Sequence, residues 1–346
     1  MKIGVAILGG TGFGAGELLR ILANHQNATV VAATSRSMAG QSISSAHPHL
    51  ASIYEYSFKS EIAGHSFDGF DHQVIFSALP HGESGKAIQE VSRQFPRAKI
   101  IDLSGDLRLK DKEAHAKHYE MSPELPELRS QAVYGLPEVN RSAIEFANLV
   151  SNPGCLATAA ILALLPLVTV KVKSIHLNLA TGSSGSGKEP KASTLHPIRH
   201  ANFLAYKVLN HQHTPEVIQC LNQASGSFQD IPFVAHSLPI SRGILCTAFI
   251  DLAYSAVQSE IEEEFEQTYK GHPFVRIKGS APAEIENVVG SNFCDISVTV
   301  KADQLVVHAA IDNLVKGMAG QAIQNMNLMT GLNETTGLWT GAWRPV

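Results

Sequence analysis

Cysteine is scarce in this sequence. Its 346 residues include only Cys155, Cys220, Cys246 and Cys294, and no two of these form a CxxC pair. A zinc site, any other metal site or a disulfide framework is therefore not expected, and the sequence indicates a reducing compartment. A signal-peptide pattern and an apolar run long enough to span a bilayer are also missing, so we expect a cytoplasmic protein without a membrane partner.

Charge of either sign is also limited. The chain has 27 basic and 31 acidic side chains, a formal net charge of -4, and no cluster of basic residues. Proteins that bind nucleic acid usually carry a basic patch, so we expect no nucleic-acid partner. By contrast, 44% of the residues are hydrophobic, which is enough for a buried core, and the length favours two domains.

The pattern of the chain changes near its middle. The first part alternates apolar strands with helices, and strands are predicted at 2–8, 29–35, 72–80 and 98–105. Such alternation is typical of a parallel sheet that binds ligands at the carboxyl ends of its strands. After Cys155 an apolar helix precedes longer alternating strands, which indicate a more antiparallel sheet. A long polar loop is predicted at 183–200, and such loops are usually functional or disordered.

A glycine-rich turn lies between the first strand and the first helix. It consists of Gly9, Gly10, Thr11, Gly12, Phe13 and Gly14. The glycines permit a tight turn and a close approach of the backbone to a pyrophosphate, and the helix N-terminus supplies amide donors. We therefore predict that this turn binds a dinucleotide. The alternative is a turn that only allows close packing of the helix on the sheet.

The second predicted strand ends without an acidic residue. Folds that bind NAD place Asp or Glu there for the ribose hydroxyls, whereas this chain has Ser35 and Arg36. Hydroxyl groups and a guanidinium suit a 2′-phosphate, so the sequence favours NADP. The alternative is a solvated loop.

Cys155 has a setting that the other three cysteines lack. Pro153 and Gly154 interrupt the preceding segment, and a helix is predicted to begin at or just after Cys155. A thiol at a helix N-terminus has a lowered pKa because the helix dipole favours the thiolate. Lone cysteines are more often inert core residues, so both a nucleophile and a core residue remain open at this position.

A cysteine nucleophile needs an acid/base partner. His211 and His213 precede a predicted helix start at which Glu216 lies in the first turn. Histidines at this spacing, without nearby cysteine or aspartate, do not form a recognised zinc site. Three cationic side chains are candidates for binding an anionic substrate: Arg108, Lys188 and Arg242. The alternative for each of them is an ordinary surface charge.

We expect an α/β protein of two domains. A Rossmann-type NADP-binding domain is predicted over 1–153. An α+β catalytic domain with a mixed, largely antiparallel sheet is predicted over 154–312. The last helix, within 313–346, is expected to return to the first domain, and the site is expected between the domains.

Several stretches in this order and spacing resemble the N-acetyl-γ-glutamyl-phosphate reductases. They include GGTGFGAGELLR, FSALPHGES, IDLSGDLRLKD, SNPGCLATAA, SSGSGK, NHQHTPEV, LPISRGILCT and DNLVKGMAGQAIQNMNLMTG. That family consists of NADP-dependent enzymes of arginine biosynthesis in the aspartate-semialdehyde dehydrogenase superfamily. The resemblance implies a homodimer or homotetramer assembled through the second domain.

The resemblance also implies site residues. Cys155 would attack the acyl phosphate to give a thioester that NADPH reduces, and His211 or His213, in a motif with Glu216, would be the acid/base group. The implied substrate residues are Arg108, Asn152, Ser184, Lys188 and Arg242. The segment implied to lie beside the nicotinamide contains Asn313, Lys316 and Gly317.

The chain departs from the family pattern after the nucleophile. Leu156 and Ala157 stand where Tyr and Pro are common, and Gln212 stands where Arg is usual in the histidine motif. The substrate therefore has an alternative, the aminoadipyl phosphate of the related lysine-pathway reductases. A more distant alternative is a redox regulator that binds NADP without turnover.

Overall fold

The structure, a computed structural model, describes residues 1–119, 123–190 and 192–345. The chain divides into two compact units, one of Met1–Pro153 with Met318–Trp339 and one of Gly154–Gly317 with Thr340–Val346. We expected the whole of 313–346 to return to the first domain. In the structure, residues 313–317 and the tail from Thr340 belong to the second unit. Val346 itself lies outside the described residues. No helix in the described ranges is long and apolar enough to cross a membrane.

Strands and helices alternate through the first unit. Up to residue 153 its strands are β1 (Ile3–Leu8), β2 (Ala28–Ala33), β3 (His72–Ser77), β4 (Lys99–Asp102), β5 (Val133–Tyr134) and β6 (Leu149–Ser151). Its helices over the same range are α1 (Phe13–Leu22), α2 (Ile43–Ala46), α3 (Ser84–Gln94), α4 (Lys112–His118), α5 (Pro126–Gln131) and α6 (Pro137–Phe146).

The sheet of the first unit is parallel, with strand order β2-β1-β3-β4-β6-β5. Every residue of β1 is buried, as expected for a strand covered by helices on both faces. The chain passes from β1 to β2 on one side and later to β3 on the other. The strand order therefore reverses beside β1, and ligands of such sheets bind at this switch point.

The second unit is built around a longer sheet. Its strands are β7 (Val172–Thr181), β8 (Leu204–Tyr206), β9 (Phe233–Ser237), β10 (Ile244–Leu252), β11 (Val275–Ile277), β12 (Cys294–Lys301) and β13 (Gln304–Ile311). Its helices are α7 (Cys155–Leu164), α8 (His196–Arg199), α9 (Thr214–Gln223) and α10 (Gln258–Thr268). A π-helical turn at Val315–Ala319 begins in this unit and ends in the first.

The second sheet is mixed, with strand order β11-β12-β13-β10-β7-β9-β8. β10 is antiparallel to β7 and β13, whereas β9 is parallel to β7 and β11 is parallel to β12. α7 packs against β10 and β13, and its residues from Leu156 to Leu164 are all buried. An apolar helix of this kind is expected only inside a protein.

The chain returns to the first unit through α11 (Gly320–Met329), which contacts α6, β4 and α1. Every residue of α11 is buried, although four are amides: Gln321, Gln324, Asn325 and Asn327. Two of these amides bond to backbone of the same unit. Asn325 Nδ2 donates to the carbonyl of Gly135 at 2.8 Å, and Asn327 Nδ2 donates to that of Thr336 at 2.9 Å.

The predicted fold class is confirmed, with a parallel nucleotide-binding sheet and a mixed second sheet. Details differ. The alternating stretch 233–254 forms two strands, because the turn between β9 and β10 contains Pro239 and Gly243, the latter with φ of 109°. β5 and β11 were not predicted, since strands of two or three residues carry no periodic signal.

Candidate active site

The glycine-rich turn leaves open space at the N-terminus of α1. Gly9 has φ of 77°, in the region that favours glycine. Gly12 is the N-cap of α1 without a side-chain hydrogen bond, and a Cβ added there would meet no heavy atom within 4 Å. An uncapped helix end beside open space can bind an anion through its amides. The turn therefore fits the pyrophosphate of a dinucleotide.

Two other glycines of this region are packed rather than open. A Cβ at Gly14 would lie 2.5 Å from the sulfur of Met318, and one at Gly16 would lie 2.7 Å from His47 Nδ1. His47 Nε2 also donates to the carbonyl of Gly10 at 2.7 Å. The turn is thus buttressed by a histidine that the sequence pattern did not reveal, since it is 37 residues away from Gly10.

The two residues predicted to bind the 2′-phosphate, Ser35 and Arg36, follow β2 and differ in exposure. Ser35 is buried, and its hydroxyl accepts a hydrogen bond from the Met38 amide at 3.2 Å. The side chain of Arg36 is 92% exposed and lies 3.8 Å from Glu83. Exposed pairs of this kind contribute little, so the guanidinium can bind an incoming phosphate at small cost. Thr11 and Phe13, in the turn itself, are partly exposed and exposed.

A buried carboxylate organises the carboxyl end of β4. Asp102 accepts hydrogen bonds from the hydroxyls of Ser84 at 2.6 Å and Ser104 at 2.9 Å. Burial raises the pKa of Asp102, and the hydrogen bond from Ser84 opposes that shift by favouring the ionised form. Asp106 accepts from the amides of Gly82 and Gly85, each at 2.9 Å. These bonds hold the loops after β3 and β4 together.

Two of the predicted substrate residues, Arg108 and Asn152, are neighbours in the first unit. Arg108 is buried and donates to the carbonyls of Asn152 at 2.8 Å and Leu103 at 2.9 Å. The amide side chain of Asn152 donates to the Met318 carbonyl and accepts from Asn325, both at 3.1 Å. Both residues therefore hold the backbone that leads into the cysteine segment.

Cys155 is the first residue of α7, and Gly154 is its N-cap, without a side-chain hydrogen bond. Cys155 is partly exposed, unlike the buried Cys220, Cys246 and Cys294. Leu156, at the next position, is only 2% exposed. The thiol thus lies at an uncapped helix N-terminus, a setting that favours the thiolate.

His213 and Glu216 converge on Gly154. A Cβ at Gly154 would overlap the His213 imidazole at Nε2, so only glycine fits beside this ring. Glu216 is fully buried, and its Oε2 accepts from the Gly154 amide at 3.0 Å. Its Oε1 lies 3.9 Å from His213 Nε2. Glu216 therefore fixes the backbone before Cys155 and lies within reach of the imidazole.

His211 contacts both His213 and Phe233 of strand β9. Its Nδ1 accepts from the backbone amide of His213 at 3.2 Å, and the two ring centroids are 4.8 Å apart. The His211 ring also stacks on Phe233 of β9 at 5.1 Å. The two histidines are thus held next to each other, with His213 on the side of Gly154.

The loop after β7 is bound to the turn before β10. Ser184 donates to the Ser241 carbonyl at 2.7 Å and accepts from Asn313 Nδ2 at 2.9 Å. Arg242 lies 3.2 Å from the fully buried Asp312 and under the ring of Trp343, at 5.0 Å from its centroid. Ser184 and Arg242 are therefore brought together, and Lys188 lies in the exposed part of the same loop.

Two of the residues predicted to lie beside the nicotinamide, Asn313 and Lys316, are buried. Lys316 is fully buried, with its ammonium 5.8 Å from the centroid of the Phe274 ring. Asn313 is 1% exposed and uses its amide to bind Ser184 and the Gly243 amide. Both residues belong to the second unit, which the chain leaves only after residue 317.

Gly317, predicted with them, lies directly against Cys155. A Cβ at Gly317 would be 2.7 Å from the Cβ of Cys155 and 3.2 Å from its Cα. Sequence reasoning gave the residue but not this neighbour. The close approach can be read only from the packing of the π-helical turn on α7.

Comparisons with known families agree with this architecture. The semialdehyde dehydrogenase NAD binding domain matches residues 4–147, and the semialdehyde dehydrogenase dimerisation domain matches residues 155–313. An aspartate semialdehyde dehydrogenase II from Vibrio cholerae has the same fold. Its TM-score is 0.69 at 16% identity over 96% of this chain and 99% of the other. Fold and site define a nicotinamide-dependent oxidoreductase of the semialdehyde dehydrogenase class.

Two curated relatives identify the family within this class. A protein of Pelotomaculum thermopropionicum is 42% identical over 98% of both chains, and one of Methanocaldococcus jannaschii is 40% identical over 99% of both. Both are named N-acetyl-gamma-glutamyl-phosphate reductase. The chain belongs to the N-acetyl-γ-glutamyl-phosphate reductase family.

Proposed function

We propose that this protein catalyses the NADPH-dependent conversion of N-acetyl-γ-glutamyl phosphate to N-acetylglutamate semialdehyde and phosphate, a step of arginine biosynthesis. The observation that carries the proposal is the group at the start of α7. There an uncapped helix end holds a partly exposed thiol, and His213 and Glu216 contact the residue before it. The choice of substrate is supported by relatives of that name, which are 40% and 42% identical to this chain over nearly its full length.

Cys155 supplies the nucleophile. Its thiolate attacks the acyl carbon, a carbon–sulfur bond forms, and the bond to the phosphate oxygen breaks, so phosphate leaves and a thioester remains. NADPH, when bound, supplies a hydride to the thioester carbon. The carbon–sulfur bond then breaks and releases the aldehyde, and the thiolate is restored.

His213 is the acid/base group of this scheme. Its Nε2 lies against Gly154, so the imidazole is beside the nucleophile. It protonates the oxygen of the tetrahedral adduct that follows hydride addition, and it takes this proton back when the carbon–sulfur bond breaks and the aldehyde leaves. Glu216 orients the imidazole and stabilises its cationic form, because its Oε1 is 3.9 Å from Nε2. His211 holds the backbone of His213 through its Nδ1.

NADP is the proposed cofactor. The open turn at Gly12 would hold the pyrophosphate, and Ser35 with the exposed Arg36 would bind the 2′-phosphate. We expect Arg36→Ala to raise the KM for NADPH about 10-fold or more while the KM for NADH stays within about twofold, since the lost bond is a charge-assisted one. Initial rates with both cofactors measure the ratio, and Arg97→Ala, another exposed arginine of this unit, is the control. Equal effects on both cofactors would refute the assignment.

We propose that Arg108 binds the phosphate of the substrate and also holds the backbone carbonyls of Asn152 and Leu103. We expect Arg108→Ala to raise the KM for phosphate about 10-fold in the reverse reaction. The same change should lower the free energy of unfolding by about 3 kcal/mol, because two buried carbonyls lose a charged donor. Thermal unfolding and phosphate titration separate the two effects. A loss of stability with an unchanged KM for phosphate would leave Arg108 with only the structural role.

We infer that the protein is a homodimer or homotetramer that works in the cytoplasm. Phe249, on the central strand β10, is 51% exposed, on the face opposite to the buried Ala248 and Ile250. An apolar side chain exposed on a central strand supports a second copy covering that face, and the matching family domain is described as a dimerisation domain. All four cysteines lie in the described ranges and none forms a disulfide, which suits a reducing compartment. Sedimentation velocity measures the oligomer.

The reverse reaction is the direct test of the proposed function. The protein is mixed with N-acetylglutamate semialdehyde, NADP and inorganic phosphate, and the absorbance of reduced nicotinamide is followed. We expect a rise that depends on phosphate. A rise only with the one-carbon-longer aminoadipate semialdehyde derivative would transfer the proposal to that substrate. Measurable NADP binding with no rise for either substrate would refute it.

A further inference from the structure

The C-terminal tail has no role in the scheme above, although it is bound to the second unit. The tail residues from Thr340 onward belong to this unit. The amide of Trp343 donates to the carbonyl of Val289 at 2.8 Å, and the guanidinium of Arg344 lies 3.4 Å from Glu286. The two anchoring residues are close together in the chain, so the tail is fixed along one short segment.

The indole of Trp343 packs on a glycine and on an arginine. Gly290 has φ of 81°, and a Cβ there would lie 2.5 Å from atoms of the indole, so only glycine leaves room for the ring. The same ring faces the guanidinium of Arg242, whose central carbon is 5.0 Å from the ring centroid. A guanidinium over an indole is attracted by the negative face of the ring, which also restrains its orientation.

A buried carboxylate holds the same guanidinium at one edge. Arg242 Nη1 donates to Oδ2 of the fully buried Asp312 at 3.2 Å. This carboxylate also accepts from the backbone amides of Gly290 at 2.7 Å, Leu314 at 2.7 Å and Val315 at 3.0 Å. The amide donors already stabilise its negative charge, so the carboxylate does not depend on the arginine alone. Arg242 is therefore oriented by a carboxylate at its edge and by an aromatic ring on its face.

Arg242 lies close to the segment that packs on the nucleophile. The backbone carbonyl of Asp312 accepts from the amide of Gly317 at 2.9 Å, and Gly317 lies against Cys155. The side chain of Arg242 is 20% exposed, so an anion can reach it from solvent. In the proposed substrate a short carbon chain joins the α-carboxylate to the reacting acyl carbon. A cation that binds this carboxylate must therefore lie near Cys155, as Arg242 does.

We propose that Trp343 is a positioning residue, which holds Arg242 in the orientation that binds the α-carboxylate of the substrate. The inference rests on the proposed function, to which it adds the residues that recognise one end of the substrate. A bidentate pair of guanidinium and carboxylate depends on the direction of the planar N–H fork. Without the indole the guanidinium would rotate more freely and would be more hydrated, and both changes weaken such a pair.

The experiment compares the binding of N-acetylglutamate semialdehyde with that of its α-carboxamide, in which a neutral group replaces the carboxylate. Calorimetry on the full chain measures both dissociation constants with NADPH and without NADP or phosphate, a mixture in which the aldehyde cannot be oxidised. The unaltered protein should bind the acid about 10-fold or more tightly than the amide, because the amide lacks the charge-assisted pair. Arg242→Ala should abolish this preference.

Trp343→Ala should reduce the preference for the acid about fivefold, the size expected for loss of a partly exposed cation–π contact. Trp343→Leu keeps apolar bulk beside Gly290 but has no aromatic face, so it should reduce the preference as far as Trp343→Ala. Trp343→Phe retains a ring and should keep the preference within about twofold.

Trp339→Ala is the matched control, since Trp339 is the second tryptophan of the chain, is 63% exposed and belongs to the first unit. Its preference for the acid should equal that of the unaltered protein. The ratio of two dissociation constants on one preparation does not change with the fraction of folded protein, so a general loss of stability leaves it unaltered.

An unchanged preference in Trp343→Ala, or an equal loss of affinity for the acid and the amide, would overturn the proposal. A preference that survives in Arg242→Ala, or that is absent from the unaltered protein, would overturn it as well. Because the ratio is measured on binding alone, each of these results is distinct from a reverse reaction without turnover, which would contradict the proposed function.

Discussion

Replacing Cys155 by serine is expected to lower turnover in the phosphate-dependent reverse reaction by about 10³-fold or more. A serine hydroxyl is a far weaker nucleophile at neutral pH than a thiol at a helix N-terminus, so the covalent adduct does not form. The dissociation constant of NADP should stay within a few-fold, because the glycine-rich turn belongs to the first unit and the nucleophile to the second. Stopped assays of turnover and fluorescence titration of NADP measure the two quantities.

The matched control for this change is Cys220→Ser. Cys220 is a buried cysteine of the same unit, on α9, and the proposal gives it no chemical role. That variant should keep turnover within a few-fold even if the free energy of unfolding falls by about 1–3 kcal/mol on burial of a hydroxyl. Near-native turnover in Cys155→Ser would remove the nucleophile assignment, and with it the thioester mechanism.

Gly317→Ala is expected to lower kcat/KM by about 100-fold without preventing folding. The added Cβ would lie 2.7 Å from the Cβ of Cys155 and 3.2 Å from its Cα. Ordinary carbon–carbon contacts are about 3.5–4.0 Å, so α7 or the π-helical turn must move. The rest of α7 is tightly buried, so the displacement falls on Cys155 at its end. Steady-state kinetics and circular dichroism of the same preparation test this expectation.

Gly341→Ala controls for the loss of a glycine in the same unit, because a Cβ there would meet no heavy atom within 4 Å. Its kinetics should match those of the unaltered protein. The free energy of unfolding of Gly317→Ala should fall by about 1–3 kcal/mol, the usual cost of one extra methyl group in a packed region. If Gly317→Ala kept full activity, the proposed rigid contact between the two segments would be wrong.

Local features of the site could be predicted from the sequence because the residues involved are neighbours in the chain. Gly9, Gly10 and Gly12 follow an apolar strand directly and precede a helix, so their turn is defined over a few residues. The start of a helix at Cys155 follows in the same way from Pro153 and Gly154. Backbone conformation and helix capping are short-range effects, and one segment contains all the information they need.

Contacts between distant segments could not be predicted in this way. Glu216 meets the Gly154 amide across 62 positions of the chain, and Lys316 is buried where the family resemblance implied a cofactor contact. The sequence offered sixteen histidines, and nothing in its local pattern distinguished His213 from His211.

The class of fold, the glycine-rich turn and the thiol at the start of a helix follow from the sequence alone, since hydrophobic periodicity and turn chemistry act within single elements. The contact of His213, rather than His211, with Gly154 and the packing of Gly317 on Cys155 follow from the three-dimensional arrangement of the chain. Strand register and helix packing set those neighbours, because both depend on how side chains far apart in the chain fill a common core.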